Sequence, residues 1–273
     1  MYIGQWKNHS ICIPKNRLAS YCLFHNPSYC QRNIFAPQLK KIPLAKPDIR
    51  VIIPAFNEQN AVGLVIDEIP KDLVSEIIVV DNGSTDDTYE QAKSRGATTL
   101  KEPTRGYGNA CLKGMAHIAK SKTQPDIVVF LDGDHSDYPE QMRDLVRPII
   151  EGKADMVIGS RALGQKEKGS MTIQQLFGNW LATKLIKLFY RVNYTDLGPF
   201  RAIKYDSLLT IAMQDRTYGW TVEMQLKAAK LNLRTVDLPV DYRQRIGVSK
   251  VSGTVKGTIG AGYKIIYTIF KYL

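Results

Sequence analysis

The residue pair best suited to chemistry in this chain is Asp132 and Asp134, which bracket a glycine. Two carboxylates at this spacing offer the oxygen ligands that Mg²⁺ or Mn²⁺ prefers and leave coordination positions for diphosphate oxygens. Acid pairs are common in exposed loops, so the pair alone is weak evidence. The pair directly follows the apolar run of residues 128–131, and a buried strand there would place both carboxylates at one end of a sheet. The sequence therefore predicts a divalent-metal site at a strand end.

Two other polar segments follow earlier apolar runs. Residues 54–58 read PAFNE after the run at 49–53, and residues 81–86 read DNGSTD after the run at 76–80. Acids at the ends of parallel strands converge on one crevice. The first run is not followed by G-x-G-x-x-G, and no G-x-x-x-x-G-K-[ST] loop is present. These absences argue against dinucleotide-dependent oxidoreductases and P-loop nucleotidases.

The elements that must position these residues follow an alternating pattern that begins at Asp48. Apolar runs at residues 49–55, 76–81, 97–101, 126–132, 155–160, 198–203 and 234–240 predict strands. Helical spacing is found at residues 62–69, 85–95, 108–120, 139–150, 171–191, 220–231 and from 256 onward. Strands that are apolar on both faces and alternate with helices indicate a mostly parallel sheet with helices on both faces. The predicted class is therefore an α/β, Rossmann-like fold with C-terminal amphipathic helices.

Three regions are expected along the chain. Residues 1–47 are basic, lack periodicity and read as a poorly ordered arm and linker; residues 48–250 carry the α/β pattern of a catalytic domain. Residues 251–273 read as an amphipathic helix, with Lys256, Lys264 and Lys271 on one face and apolar residues opposite. The four cysteines match no zinc spacing, so reduced thiols in a cytoplasmic protein are the simpler interpretation.

The charge is unevenly distributed along the sequence. The net charge is +11, yet residues 47–160 hold 12 bases and 19 acids, whereas residues 161–273 hold 18 bases and seven acids. Acids can hold a divalent metal, and bases can meet phosphates or an anionic membrane surface. No nucleic-acid-binding motif accompanies the bases, so no nucleic-acid partner is expected. No apolar run reaches the length of about 18 residues that predicts a membrane-spanning helix.

The motifs as a set resemble a known family. VIIPAFNE, EIIVVDNGSTDDT, VVFLDGD and VIGSR occur in the order and spacing of family 2 glycosyltransferases of the GT-A fold, over about residues 49–250. Within that family, Asp196 with GPFRAI, the stretch YGWTVEMQ and the stretch RIGVSK are similar to polyprenyl-phosphate sugar transferases of the dolichol-phosphate mannose synthase type. The resemblance implies an inverting hexosyltransferase that needs Mg²⁺ or Mn²⁺.

The resemblance also implies partners and site residues. The donor would be a UDP- or GDP-sugar, and the acceptor a dolichyl or undecaprenyl phosphate of cell-envelope synthesis. The protein would bind peripherally at the cytoplasmic face of the membrane. A separate membrane protein is a further candidate partner. The implied nucleotide-sugar residues are Pro54, Ala55, Glu58, Asp81, Asp132, Arg245 and Lys250. The implied metal ligands are Asp132 and Asp134, and the implied catalytic residues are Asp134, Arg161, Asp196 and Glu223.

Several alternatives stay open at this point. Gln244 stands where the polyprenyl enzymes commonly carry an arginine, so either Arg243 or Arg245 is a candidate for the phosphate contact. Asp137 is a further candidate for the metal or the sugar, and His135 is a candidate ligand or an exposed loop residue.

The acceptor and the enzyme class also have alternatives. A phosphate acceptor is ionised and needs no base, whereas a hydroxyl acceptor needs one, for which Glu223 is the candidate. A nucleotidyltransferase is the rival enzyme class, but the loop after the first strand, PAFNEQN, has neither glycine nor base. A non-enzymatic membrane-binding module would leave the aligned acids unexplained.

We predict that a variant lacking residues 1–40 is soluble and keeps near-normal turnover, because the α/β pattern begins only at Asp48. Thermal unfolding and donor turnover, each compared with the full chain, measure this. Loss of folding after the deletion would show that the arm belongs to the core.

Overall fold

A computed structural model describes residues 46–249 and 255–273. Its strands are β1 (Ile49–Ala55), β2 (Glu76–Asp81), β3 (Thr98–Lys101), β4 (Ile127–Phe130), β5 (Met156–Ser160), β6 (Arg201–Lys204) and β7 (Thr235–Pro239). Its helices are α1 (Val62–Glu68), α2 (Thr88–Ser94), α3 (Tyr107–Ala119), α4 (Met142–Ile150), α5 (Ile173–Tyr190), α6 (Tyr205–Ile211), α7 (Trp220–Lys230) and α8 (Val255–Lys271). A short 3₁₀ turn, Pro139–Gln141, precedes α4.

The strands within the described residues form one sheet in the order β3-β2-β1-β4-β6-β5-β7. Strands β1 to β4 pair in parallel, and β7 runs parallel to β5. Strand β6 is antiparallel to both of its neighbours, β4 and β5. The predicted mostly parallel α/β fold is therefore confirmed. The apolar pattern showed that β6 is a strand, but such a pattern carries no information on strand direction.

Both faces of the sheet are packed, because successive side chains of each strand point to opposite sides. On one face, Ile52, Val80 and Phe130 join a core with α3 and with α5 to α8. On the other face, Ile53 and Val129 pack with α1, α2 and α4. The strands are thereby held from both sides, which fixes where their carboxyl ends lie.

Helices α5 and α8 cover one side of the sheet and touch each other. Helix α5 begins with a capping box, in which the Thr172 hydroxyl accepts from the Gln175 backbone N–H and the Gln175 side chain accepts from the Thr172 N–H. The Tyr190 hydroxyl donates to the Ile269 carbonyl at 2.8 Å, which ties α5 to α8. The predicted C-terminal helix thus packs against the α/β domain.

Two sequence predictions concern residues outside the described ranges. The proposed arm and linker of residues 1–47 fall almost entirely outside the described residues, as does Lys250. None of the helices in the described part of the chain is long and apolar enough to cross a membrane.

Candidate active site

The predicted crevice forms at the carboxyl ends of three neighbouring strands. Strands β2, β1 and β4 lie side by side and run in parallel, so the segments that follow them meet at one edge of the sheet. A first cavity of about 370 Å³ opens there. Its lining includes Pro54, Ala55 and Glu58 after β1, Asn82 after β2, and Asp132 and Asp134 after β4.

A second cavity of about 330 Å³ adjoins the first. Residues of α5 and α8 contribute to its wall, among them Gly178 and Gly262. The lining shared by the two cavities is Tyr107, Asp132, Asp134, Tyr218, Arg245 and Ser249. The acid pair that the sequence singled out therefore stands where two ligand-sized spaces meet.

Asp132 is held in place by a tyrosine that the sequence analysis did not identify. The Tyr107 hydroxyl, at the start of α3, donates to Asp132 Oδ1 at 3.0 Å. Burial, followed by repulsion from Asp134, raises the pKa of Asp132 to about 7. Burial also raises the pKa of Tyr107, so its hydroxyl remains a donor at neutral pH. One oxygen of Asp132 is thus engaged by the tyrosine.

Asp134 is buried and has a cationic partner. Its Oδ1 accepts from the backbone N–H and the hydroxyl of Ser136, at 3.0 and 2.5 Å. Its Oδ2 lies 3.0 Å from an Arg245 nitrogen, and the same nitrogen lies 3.1 Å from Glu58 Oε1. Arg245 therefore bridges two acids that line the first cavity.

The two candidate arginines differ in what they contact. Arg243 is engaged away from both cavities: it pairs with Glu68 at 2.5 Å and donates to the carbonyls of His135 and Asp137 at 2.7 and 3.1 Å. Arg245 lines both cavities and Arg243 lines neither, and which of them contacts phosphate stays a prediction. The His135 ring also contacts Glu68, at 2.9 Å, and lines neither cavity, so its contacts do not support a role as a ligand.

Arg161 and Asp196 form one unit. Arg161 donates from Nε and from a terminal nitrogen to the two oxygens of Asp196, at 2.8 and 2.7 Å, and also from its backbone N–H. Burial alone would raise the pKa of Asp196, but Arg161 outweighs it and the pKa is lowered. Arg161 lines the second cavity, 5.1 Å from the centre of the Tyr242 ring, whereas Asp196 lies behind it. Asp196 thus orients Arg161 and does not line either cavity.

Glu223 is not brought together with the other predicted residues. It is fully buried and lines neither cavity. Its carboxylate accepts from the backbone N–H groups of Gln214 and Asp215, from Lys227 and from the Tyr272 hydroxyl. Burial raises the pKa of Glu223, but the Lys227 and Tyr272 contacts outweigh it and the pKa is lowered. These contacts do not support the predicted role of general base.

At the end of β2, the residue that lines the first cavity is Asn82 and not Asp81, which was expected to hold the base. The Asp81 carboxylate accepts from the Ser84 N–H at 3.0 Å, while Asn82 lines the first cavity. The Asn82 side chain also accepts from the Gly106 N–H at 2.7 Å and donates to the carbonyls of Glu102 and Thr104, in the loop that leads into α3. The neighbouring Asn82 therefore shapes the approach to α3, and a role of Asp81 in base binding stays a prediction.

Asp137 is buried close to the acid pair. Neither of its carboxylate oxygens has a hydrogen-bond partner among the described residues. Burial, followed by the charges of Asp132 and Asp134, raises its pKa well above the usual range. It lines neither cavity, so the expectation that it approaches the metal or the sugar stays a prediction.

Part of the wall of the first cavity depends on two glycines at the start of α3. A side chain at Gly106 would collide with the Arg216 carbonyl, and one at Gly108 with the Asp215 carbonyl. Gly106 also has φ +142°, which disfavours other residues. The glycines of RGYG therefore let residues 215–218 approach α3 and bring Tyr218 to both cavities.

The donor set at the acid pair suits a hard divalent cation. Asp132 and Asp134 offer carboxylate oxygens whose mutual repulsion a cation would relieve. No cluster of three or more His, Cys, Asp or Glu side chains in the described part of the chain is arranged to hold a metal. Magnesium is commonly bound in this way, by one or two carboxylates and by substrate phosphates. The residues present therefore fit a cation that a bound diphosphate helps to hold.

Comparison with known proteins gives consistent matches. The model of glycosyl transferase family 2 matches residues 50–210. An uncharacterised glycosyltransferase of Mycobacterium tuberculosis is 32% identical over 79% of this chain and 95% of its own length. The undecaprenyl-phosphate mannosyltransferase of Micrococcus luteus is 30% identical over 77% of this chain and 89% of its own length.

A solved structure is similar in fold. Glucosyl-3-phosphoglycerate synthase of Mycobacterium tuberculosis, crystallised with Mn²⁺, UDP-glucose and phosphoglyceric acid, aligns with a TM-score of 0.65 and 25% identity. The alignment covers 84% of this chain and 80% of that chain.

We predict that Asp196→Asn destabilises the fold by about 3–5 kcal/mol, because it removes the buried anionic partner of Arg161, whose side chain is only 12% exposed. Urea unfolding at pH 7 measures the loss. Asp144→Asn is the matched control, since its pair with Arg147 is exposed, and its unfolding midpoint should not move.

The pH dependence gives a second measure of the same pair. Because the pKa of Asp196 is lowered in the folded state, its contribution is present above the unfolded value of about 4 and is lost as the pH falls below it. That part of the acid-side loss should be absent in Asp196→Asn. Equal stability of the variant and the wild type at pH 7 would contradict the assignment of Asp196 as the partner of Arg161.

Proposed function

The chain belongs to glycosyltransferase family 2, and we propose that it moves a hexose from a nucleoside-diphosphate sugar to a polyprenyl phosphate. The transfer inverts the anomeric configuration and requires Mg²⁺ or Mn²⁺. The observation that carries the proposal is the shared wall of the two cavities. Asp132, Asp134 and Arg245 line both spaces, so two substrates bound there would meet at the acid pair.

The first cavity is assigned to the donor. Its wall contains Phe56, and the Arg105 guanidinium lies over the Phe56 ring, which gives a flat surface suited to a nucleobase. Pro54 and Ala55 line the same side, next to Glu58. The similar synthase binds UDP-glucose with Mn²⁺, which supports a nucleotide-sugar donor here. Both UDP- and GDP-sugars remain candidate donors.

The charges at the junction suit departure of a nucleoside diphosphate. Asp132 and Asp134 would hold the cation, whose chemistry is to offset the negative charge that develops on the departing diphosphate. Tyr107 keeps Asp132 oriented by its hydrogen bond to Oδ1. Arg245, which bridges Glu58 and Asp134, offers phosphate oxygens a guanidinium next to the acid pair. Lys250 is proposed to assist from the following segment.

The second cavity is assigned to the acceptor, and its side chains favour an ionised group. Among the described residues, the carboxylates that line it are Asp132 and Asp134, both assigned to the cation. Arg161 and Arg245 line it as well. A hydroxyl acceptor would need a free base to take its proton, whereas a phosphate is already an anion at neutral pH. The lining therefore favours a phosphate acceptor.

The helices around the second cavity favour a lipid as the carrier of that phosphate. Neither α5 nor α8 contains an acidic residue. Their large exposed apolar side chains are Ile173, Leu176, Phe177, Trp180, Leu188 and Phe189 on α5, and Ile259, Tyr263, Tyr267 and Phe270 on α8. Lys184, Lys187, Arg191 and Lys271 are exposed beside them. We name this surface the α5–α8 face.

An anionic membrane surface matches the α5–α8 face in both polarity and charge. Each lysine or arginine near such a surface contributes about 1 kcal/mol of attraction, and apolar side chains can enter the interface. We therefore place the protein peripherally at the cytoplasmic face of a membrane. The Micrococcus relative, named for an undecaprenyl-phosphate acceptor, supports this choice. A separate membrane protein seated on the same face is the alternative partner.

We predict that Asp134→Asn lowers transfer at least about 100-fold, because the cation loses a ligand at the departing diphosphate. The fold should survive, since an asparagine Oδ1 can still accept from Ser136. Asp126→Asn is the matched control, because Asp126 directly precedes β4 and lies at the end of the strand far from the site. Sugar transfer is measured with Mg²⁺ or Mn²⁺, and again after EDTA. Full activity in Asp134→Asn, or activity indifferent to EDTA, would refute the metal assignment.

The acceptor is tested with radiolabelled UDP-glucose and GDP-mannose, each offered with undecaprenyl phosphate in anionic vesicles or with 3-phosphoglycerate in solution. We expect label in the lipid. Leu188→Glu, which alters a leucine 70% exposed on α5, should weaken vesicle binding about tenfold, a loss typical of one buried leucine. Leu209→Glu on α6, also at an exposed leucine, should not. Label found only in the soluble product would overturn the lipid acceptor and leave the transferase standing.

A further inference from the structure

Residues 214–219 form a loop that belongs to both cavities and leads into α7. Thr217 and Tyr218 line the first cavity, and Tyr218 also lines the second. The Arg216 carbonyl accepts from the Asn109 N–H at 3.1 Å, so the loop rests on the start of α3. The position of this loop therefore sets part of the shape of the proposed donor site.

Two buried carboxylates hold the backbone of this loop. Glu223, in the first turn of α7, accepts from the N–H groups of Gln214 and Asp215, at 3.1 and 2.6 Å. Asp215 in turn accepts from the N–H groups of Thr217 and Gly219, at 2.8 and 3.1 Å. The loop conformation thus depends on where these two side chains stand.

The C-terminal helix fixes both carboxylates. Lys264 Nζ lies 2.9 Å from Asp215 Oδ2, and the Tyr272 hydroxyl donates to Glu223 Oε1 at 2.6 Å. Lys264 and Thr268 share one face of α8, and Tyr272 lies in the turn directly after the helix, where its N–H donates to the Thr268 carbonyl at 3.3 Å. A side chain at Gly219 would collide with Thr268 Oγ1. The loop and this face of α8 are therefore in close contact.

Tyr272 and Lys264 each connect one of the two loop-holding carboxylates to the C-terminal segment. Glu223 also has Lys227 of its own helix as a partner, at 2.7 Å. The Tyr272 hydroxyl joins this carboxylate to the turn that follows α8, and the Lys264 ammonium on α8 pairs with Asp215. Other faces of α8, with Tyr263 and Phe270, are exposed on the α5–α8 face. One helix therefore contacts both the proposed membrane surface and the substrate loop.

We propose that Lys264 and Tyr272 are positioning residues for the transfer reaction, acting through Asp215 and Glu223 to hold Thr217 and Tyr218 at the donor cavity. This inference rests on the proposed function. It gives Glu223 the task of a loop support in place of the predicted base. It also makes α8 a support of the donor site, although none of the described side chains of this helix lines the first cavity.

The test uses substitutions that remove single contacts. Tyr272→Phe deletes one hydroxyl, and Lys264→Met deletes one ammonium group at similar volume. Tyr190→Phe is the matched control, because it too deletes one tyrosine hydroxyl, but one that bonds the Ile269 carbonyl of α8 and not a carboxylate that holds the loop. All three are made in the full chain, and thermal unfolding is recorded for each.

Two measurements separate positioning from general stability. Hydrogen exchange of the amides of residues 214–219 should accelerate in Tyr272→Phe and Lys264→Met and stay unchanged in Tyr190→Phe. Affinity for UDP and GDP with Mn²⁺, measured by calorimetry, should fall about tenfold in the first two variants, as expected for a lost hydrogen bond to a charged group, and KM for the donor should rise more than kcat falls.

The outcomes distinguish the inference from its premise. Equal exchange and equal nucleotide affinity in Tyr272→Phe and Tyr190→Phe would overturn the positioning role, as would a change in unfolding temperature without a change in donor KM. Wild-type protein that binds neither UDP nor GDP would overturn the proposed function. In that case the exchange comparison would still decide whether α8 holds the loop.

Discussion

The repulsion between Asp132 and Asp134 is the constraint on which the rest of the site depends. Both stand at the end of a buried strand, where burial and their mutual charge raise the pKa of Asp132 to about 7. Tyr107 donates to one carboxylate, while Ser136 and Arg245 contact the other. Each contact lowers the cost of keeping two acids together, and each leaves room for a cation to lower it further. The fold therefore tolerates the two acids, and the repulsion that remains between them favours binding of a cation.

Holding charges this close requires a rigid scaffold. Strands β1 and β4 are packed on both faces by apolar side chains, so their carboxyl ends have little freedom. The segments after these strands are then tied to distant parts of the chain: Arg243 reaches Glu68 across 175 positions, and Arg245 reaches Glu58 across 187. The C-terminal third thus closes over an acidic site built by the middle third, which gives the charge asymmetry of the sequence a structural meaning.

Much of this arrangement could be predicted from local sequence pattern. The apolar runs gave the strands, and the strand order brought Glu58, Asp132 and Asp134 together as the polar segments after them indicated. Arg161 and Asp196 were identified as site residues, but their pairing depends on a fold that sets residues 35 positions apart in contact. Tyr107 gave no signal beyond its place after a glycine. Glu223 is the candidate base from its place at the start of a predicted helix, and only the tertiary contacts show that its oxygens are engaged.

The two arginines of the site differ in a way that bears on the chemistry. Arg161 is bound through two nitrogens to the buried Asp196, so its charge is largely balanced and its position is fixed. Arg245 instead shares one nitrogen between Glu58 and Asp134. A cation taking Asp134 would remove one of these partners from Arg245 and leave its guanidinium available to phosphate oxygens. Asp134 would then serve the cation, while Arg245 would keep its contact with Glu58 and stand beside the diphosphate.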